Sequence, residues 1–109
     1  DKSLEFAVRI VNLYKFLVNE QKEFVMSKQI LRSGTSIGAN IREAEQAQSR
    51  ADFINKLNIA LKEANETEYW LELLIRTEYI TREQYESINN DSTEINKLLI
   101  SIIKTTKNN

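Results

Sequence analysis

The sequence predicts an all-α protein: an antiparallel four-helix bundle with up-down-up-down topology, forming one domain over residues 1–109. The chain has no Pro and only two Gly, which is too little turn punctuation for a β-rich fold of this length. Apolar residues recur at about 100° per residue through four segments. The links between these segments are short, as in bundles whose neighbouring helices run antiparallel. Two hairpins packed in another order are the alternative topology.

The first predicted helix covers residues 4–19. Its core stripe consists of Phe6, Ile10, Leu13, Tyr14 and Leu17. Ala7, Val11 and Val18 widen the apolar face beyond what a single core seam requires. Residues 21–24 break the helical period, so we predict a connection there.

The second predicted helix covers residues 27–47, and Ser27 is its expected N-cap. Residues 33–38, Ser-Gly-Thr-Ser-Ile-Gly, have the composition of a loop. The apolar phase nevertheless continues unbroken from Ile30 through Ile41, so we predict that this stretch is helical.

The third predicted helix covers residues 50–77 and is opened by a capping box in which Ser49 precedes Asp52 by three positions. Its stripe consists of Phe53, Leu57, Ala60, Leu61, Ala64, Leu71, Leu74 and Ile75. This is the longest regular apolar pattern in the chain.

The fourth predicted helix covers residues 82–105 and follows a second capping box, formed by Thr81 and Gln84. Its expected core stripe consists of Tyr85, Ile88, Ile95, Leu98, Leu99 and Ile102. The polar tail at 106–109 is expected to fray.

Composition argues against the common kinds of catalytic site. The chain contains neither His nor Cys, so zinc sites and the usual nucleophile triads are ruled out. Four glutamates crowd the third helix, at Glu63, Glu66, Glu68 and Glu72. Only Glu68 leans toward the apolar face, and a solvated flank with one partnered carboxylate is the favoured interpretation. A metal-dependent hydrolase is the alternative, but we expect no enzyme activity and no cofactor.

The sequence says less about the cellular compartment and the binding partners than about the fold. There is no stretch of 18 apolar residues and no visible export signal, so we expect a cytoplasmic protein without a membrane partner. The net charge of −1 argues against a dedicated nucleic-acid binder.

Gly34 and Gly38 are spaced as Gly-x-x-x-Gly. A glycine inside a helix costs about 1 kcal/mol relative to Ala, so close approach of a neighbouring helix should offset the pair. That neighbour belongs either to the same subunit or to another one, and the spacing does not distinguish these alternatives.

Three apolar residues lie away from the predicted core faces: Leu31 on the second helix, and Ile59 and Trp70 on the third. Exposed together with Val11 and Val18, they would form a large apolar patch, and such patches mark interfaces. We therefore predict self-association.

Lys28, Arg32 and Arg42 fall on one side of the second helix, opposite its core stripe. Such a row is usually a solvated face. In an oligomer it would be repeated, which makes contact with RNA phosphates the alternative function.

Two long runs resemble the hallmarks of a known family. They are SKQILRSGTSIGANIREA, from Ser27 to Ala44, and DFINKLNIALKEANETEYWL, from Asp52 to Leu71. Both resemble the 23S rRNA intervening-sequence proteins, also called the four-helix bundle protein family, and the resemblance extends over the whole chain.

This resemblance implies a small bacterial protein that assembles as a homopentamer and carries no catalytic residues. The family is also similar to accessory proteins of diversity-generating retroelements, which are markedly basic pentamers thought to bind a reverse transcriptase and nucleic acid. The matching positions, implied to act in helix packing and assembly, are Gly34, Gly38, Asn40, Glu43, Glu66, Glu68, Tyr69 and Trp70.

Overall fold

A computed structural model describes residues 1–108 and confirms the predicted fold class. The helices are α1 (Lys2–Asn19), α2 (Met26–Glu45), α3 (Arg50–Arg76) and α4 (Arg82–Asn108). They form a rod with extents of 47 × 20 × 20 Å. The glycine-bearing stretch 33–38 is helical, as predicted.

Each helix packs against its neighbour in sequence, and α4 returns beside α1. All four neighbouring pairs run antiparallel, which gives the predicted up-down-up-down order. The α1–α4 contact is the smallest of the four. Ion pairs bridge it, between Arg9 and Asp91 (2.6 Å) and between Lys2 and Glu94.

The N-cap predicted at Ser27 is wrong. The chain turns at Lys22, whose φ is 56°, and this turn brings the Glu23 carboxylate beneath the first turn of α2. There it accepts the backbone N–H groups of Val25 (3.1 Å), Met26 (2.9 Å) and Ser27 (2.7 Å). The Ser27 hydroxyl is buried and has no hydrogen-bond partner among residues 1–108.

The capping box predicted at Thr81 is confirmed in both of its hydrogen bonds, and the one predicted at Ser49 is confirmed in its side-chain bond to Asp52. The Ser49 hydroxyl accepts the N–H of Asp52 at 3.1 Å. At the next helix the exchange is reciprocal: the N–H of Gln84 donates to Thr81 Oγ1 (3.1 Å), and the N–H of Thr81 donates to Gln84 Oε1 (2.8 Å). These bonds define the starts of α3 and α4.

The predicted end of the fourth helix at residue 105 is too early. The helix continues to Asn108, with Thr106 Oγ1 donating to the Ile102 carbonyl at 2.7 Å. Of the tail that we expected to fray, Asn109 lies outside the described residues, and the rest is helical.

The described parts of the helices differ in length. The 18 residues of α1 span about 27 Å and the 27 residues of α4 about 40 Å. Because α1 begins beside Glu94, the segment Ile95–Asn108 of α4 runs largely past it. Within residues 1–108 we call this region, which Asp1, Lys2 and Ser3 border, the open end.

The open end corrects the predicted core of α4. Leu98 and Ile102, expected in the core stripe, are 46% and 43% exposed within residues 1–108. Ile103 is buried there. The other apolar members of the predicted α4 stripe lie in the core or pack against it.

Candidate functional site

The two glycines of α2 face α1 of the same chain. A Cβ placed on Gly34 would lie 2.7 Å from Ile10 Cγ1 and 2.8 Å from Ile10 Cγ2, closer than carbon atoms pack. At Gly38 the nearest atom is Ser3 Oγ, at 3.3 Å. The close helix approach therefore occurs within one subunit, which is the first of the two alternatives that the spacing leaves open. Gly34 is buried beneath α1 and presents no surface to another subunit.

Several of the family-matched positions hold α2 and its contact with α3 in place. The Asn40 amide donates to a carbonyl one turn earlier in α2, at 2.8 Å. Lys56 pairs with Glu43 across the two helices at 3.3 Å. Inside the same seam the Thr67 hydroxyl donates to Ser33 Oγ at 3.0 Å, where both side chains are fully buried.

Glu66 links α2, α3 and the indole of Trp70. Arg32 Nη2 donates to Glu66 Oε2 at 2.5 Å, and Trp70 Nε1 approaches the same oxygen at 3.5 Å. Tyr69 packs edge-on against Trp70, with ring centroids 5.1 Å apart, and is itself 59% exposed. Of this cluster, Tyr69 is the side chain that a partner can reach most easily.

Glu68 joins α3 to α4. Its Oε1 accepts the Asn96 amide at 2.8 Å and the Ser92 hydroxyl at 3.3 Å. Glu68 is partnered, as expected, but the expectation that the other three glutamates form a solvated flank is wrong: Glu66 and Glu63 lie beside Arg32, and Glu72 pairs with Arg76. In the described chain, no three metal-binding side chains converge on a common point.

The basic row of α2 is partly neutralised. Arg32 pairs with Glu66 at 2.5 Å and lies 3.6 Å from Glu63. Lys28 and Arg42 are exposed and form no ion pair within residues 1–108. The row therefore presents two available cations and not three.

The apolar residues that we placed off the core faces are half-buried. Leu31 and Trp70 pack against the core, and Ile59 is partly covered. The structure therefore does not bring Leu31, Ile59 and Trp70 together as one fully exposed patch.

A more exposed apolar surface lies at the open end. Leu98 and Ile102 border a groove of about 250 Å³ that reaches Ile41 and the buried Leu57, and Asp1, Lys2 and Ser3 at the start of α1 line its other side. We call Ile41, Leu57, Leu98 and Ile102 the α4-end surface. Sequence analysis missed it because the helical period assigns Leu98 and Ile102 to the core.

A second exposed apolar surface lies along α1. Leu4 and Val8 are 50% and 54% exposed, and Ala7 and Val11 are half-buried beside them. We call these four residues the α1 surface. The broad apolar face that Ala7 and Val11 give the first helix was a signal for it in the sequence. The remaining large exposed apolar side chains of residues 1–108 are Phe24, Val25, Tyr69 and Ile100.

None of the four helices, over the part of the chain that the structure describes, is long and apolar enough to cross a lipid bilayer. The exposed apolar residues form short patches on helices whose other faces are polar.

Comparison with known proteins identifies the family. The sequence model of the 23S rRNA-intervening sequence proteins matches residues 1–101, so the chain belongs to that family. A crystal structure from Bacteroides thetaiotaomicron VPI-5482, described as a protein with unknown function from the S23 ribosomal protein family, is 98% identical to this chain. The match covers 94% of this chain and 89% of that one, with a TM-score of 0.92. No curated protein sequence matches significantly.

Proposed function

We propose that this member of the 23S rRNA-intervening sequence protein family is a non-enzymatic assembly protein that works as a homo-oligomer in the cytoplasm. Five copies are the stoichiometry that the family resemblance implies. The observation that carries the proposal is the exposure, within residues 1–108, of apolar side chains on α1 (Leu4 and Val8) and near the end of α4 (Leu98 and Ile102). Contiguous apolar patches of this kind mark protein interfaces.

The chemistry of the chain supports a role without catalysis. The sequence holds neither His nor Cys, the residues that most often serve as general base and as nucleophile. Glu66 and Glu68 are engaged in hydrogen bonds between helices, so these carboxylates act as structural links.

The test of the proposal is a mass measurement on the wild-type chain. We expect light scattering and native mass spectrometry at micromolar concentration to give a multiple of the 12.7 kDa chain mass, with five copies as the expected multiple. A species of one chain mass under these conditions refutes the assembly role. Cell fractionation checks the compartment.

A second candidate function is association with RNA or a ribonucleoprotein. It is favoured by the exposed cations Lys28 and Arg42, which an oligomer would repeat, and by the family's name. We expect RNA binding that weakens steeply with salt and is lost in the double variant Lys28→Glu, Arg42→Glu. The matched control is Lys62→Glu, an exposed cation on α3. Absence of binding at low salt, or equal loss with the control, rejects this candidate.

A further inference from the structure

Helix α1 carries two parallel apolar stripes, and only one of them packs on the core of its own chain. Along the first stripe Phe6, Ile10 and Leu17 are buried, and Leu13 packs against the core. The second stripe lies one position further along the sequence and alternates in the same way; its members are Leu4, Ala7, Val11, Tyr14 and Val18. Within residues 1–108, none of these five belongs to the buried core or packs against it. Apolar residues that alternate in this way form the seam along which one helix packs on another.

The second stripe borders a groove between α1 and α2. Leu4 and Ala7 line one wall, and Thr35, Gly38 and Ala39 line the other, around a volume of about 200 Å³. Because the α2 side chains are short, a helix lying in this groove can approach the α2 backbone closely. From its first to its last member the stripe is about 21 Å long, or about four helical turns. We call the second stripe and these three α2 residues together the α1–α2 groove.

Three unpaired cations flank the α1–α2 groove. Lys15 follows directly after Tyr14 of the second stripe, and Arg42 lines the groove itself. Lys28 lies within roughly 40° of Arg42 on the helical wheel of α2. All three cations are exposed and form no ion pair within residues 1–108.

The carboxylates of α1 and α2 do not neutralise this rim. Glu5 lies on the far flank of α1, roughly 140° from the centre of the second stripe on the helical wheel. Glu43 pairs with Lys56 of α3 at 3.3 Å, and Glu45 is the last residue of α2, beyond Arg42. The groove therefore has a net positive rim, and a helix that fills it gains from carboxylates on its own flanks.

Another copy of this chain does not supply such carboxylates beside its exposed apolar side chains. After Glu94, α4 carries Lys97, Lys104 and Lys107 and no carboxylate side chain, so its exposed apolar residues lie among cations. A second copy of the groove would bring its own three cations against those of the first. Like charges placed in this way weaken an interface, so the charge favours a partner of different sequence.

We propose that the α1–α2 groove binds an amphipathic α-helix of another protein, whose apolar side lies on the second stripe and whose flanking carboxylates pair with Lys15, Lys28 and Arg42. The mode is that of an amphipathic helix laid into an apolar groove. Apolar contact supplies affinity, and the charges select an acidic helix over a basic one. The inference goes beyond the proposed homo-oligomer, because it adds a partner of a different kind.

The test uses two fluorescein-labelled synthetic peptides of 18 residues, the length of α1. Both carry Leu and Ala at alternating three- and four-residue spacing, with Glu at the flanking positions of one peptide and Lys at those of the other. In fluorescence anisotropy at low salt, the Glu peptide should bind the wild-type chain at least about tenfold more tightly than the Lys peptide. The difference should shrink as salt is added. Equal affinities, or no binding of the Glu peptide, overturn the inference.

Two variants locate the binding site. Ala39→Trp fills the groove at an exposed position, so the fold should persist and binding of the Glu peptide should fall by about tenfold or more. The double variant Lys28→Glu, Arg42→Glu should instead prefer the Lys peptide, a gain that a misfolded chain cannot show. The matched control is Lys62→Glu, an exposed cation on α3, which should keep the wild-type preference. If the double variant still prefers the Glu peptide, the rim does not select the helix and the inference is wrong.

The same variants distinguish the other possible occupants. If Ala39→Trp lowers the mass of the wild-type oligomer in light scattering, the groove is a contact between copies and the inference is overturned. RNA binding that persists in Ala39→Trp, with no binding of the Glu peptide to the wild type, assigns the cations to phosphates and also overturns it. A wild-type chain that is monomeric but binds the Glu peptide refutes the homo-oligomer and supports the groove.

Discussion

Replacing Gly34 by Ala tests the tightest helix contact in the bundle. The new Cβ would lie 2.7 Å from Ile10 Cγ1, 2.8 Å from Cγ2 and 3.0 Å from Cδ1. Ile10 is fully buried, and as a β-branched side chain it has few alternative conformations. Its two γ-carbons are attached directly to Cβ, so they cannot swing clear. The helices must separate to accept the methyl group.

Two opposing effects set the magnitude. Ala is favoured over Gly inside a helix by about 0.8–1.0 kcal/mol, whereas overpacking a well-filled core costs roughly 1–3 kcal/mol. Gly34→Ala should therefore lower the free energy of unfolding by about 1 kcal/mol. At Gly38 the nearest atoms are Ser3 Oγ at 3.3 Å and the Ser3 carbonyl oxygen at 3.4 Å, both at longer distances than the Ile10 carbons are from Gly34. Gly38→Ala should be neutral, or stabilising by up to about 1 kcal/mol.

Urea unfolding followed by circular dichroism, at one fixed protein concentration, measures both changes. The background Ile10→Ala removes the clashing atoms and leaves space for the new methyl group. In that background Gly34→Ala should recover its helix preference and become stabilising, which gives a coupling of about 1–3 kcal/mol between the two sites. The reasoning fails if Gly34→Ala stabilises the wild-type chain as much as Gly38→Ala does.

Two further changes test the polar contacts by the same unfolding assay. Glu23→Ala should lower the free energy of unfolding by about 1–2 kcal/mol, because three backbone N–H groups at the start of α2 lose their acceptor. Ser27→Ala should change it by less than about 0.5 kcal/mol. A loss as large as that of Glu23→Ala would show that Ser27 is the cap after all. Glu68→Ala should cost about 1–2 kcal/mol because Asn96 loses its acceptor. The matched control is Glu72→Ala, because the exposed Glu72 pairs with Arg76 of its own helix, and it should cost less than about 0.5 kcal/mol. If Glu72→Ala costs as much as Glu68→Ala, the assigned link between α3 and α4 is wrong.

The features that could be predicted from the sequence are those whose chemistry is local. The capping boxes at Ser49 and Thr81 involve partners three residues away, so their spacing alone locates the starts of α3 and α4. The start of α2 was not predictable in this way. Its cap is Glu23, which is brought beneath the helix by the left-handed turn at Lys22, and no short-range pattern specifies that turn.

The candidate surfaces were harder to predict because they depend on where neighbouring helices end. A helical wheel shows that Leu98 shares a face with buried residues, but it does not show that Leu98 is 46% exposed in the described fold. The partner of Gly34 raises the same difficulty, since the Gly-x-x-x-Gly spacing predicts a close neighbour without identifying Ile10 as that neighbour. Helix lengths and pairings supply the information that periodicity lacks.

The hydroxyl pair between Ser33 and Thr67 also determines the register in which α2 and α3 align. A seam of aliphatic side chains alone would tolerate a slip of one helical turn, about 5.4 Å, because one methyl group can replace another. After such a slip the hydrogen bond between Thr67 and Ser33 would be lost, at a cost of roughly 0.5–1.5 kcal/mol, and each hydroxyl would keep only a carbonyl of its own helix, that of Glu63 at 2.8 Å and that of Ile30 at 3.5 Å. The sliding alignments are thereby disfavoured, and the α2–α3 hairpin settles into a single alignment.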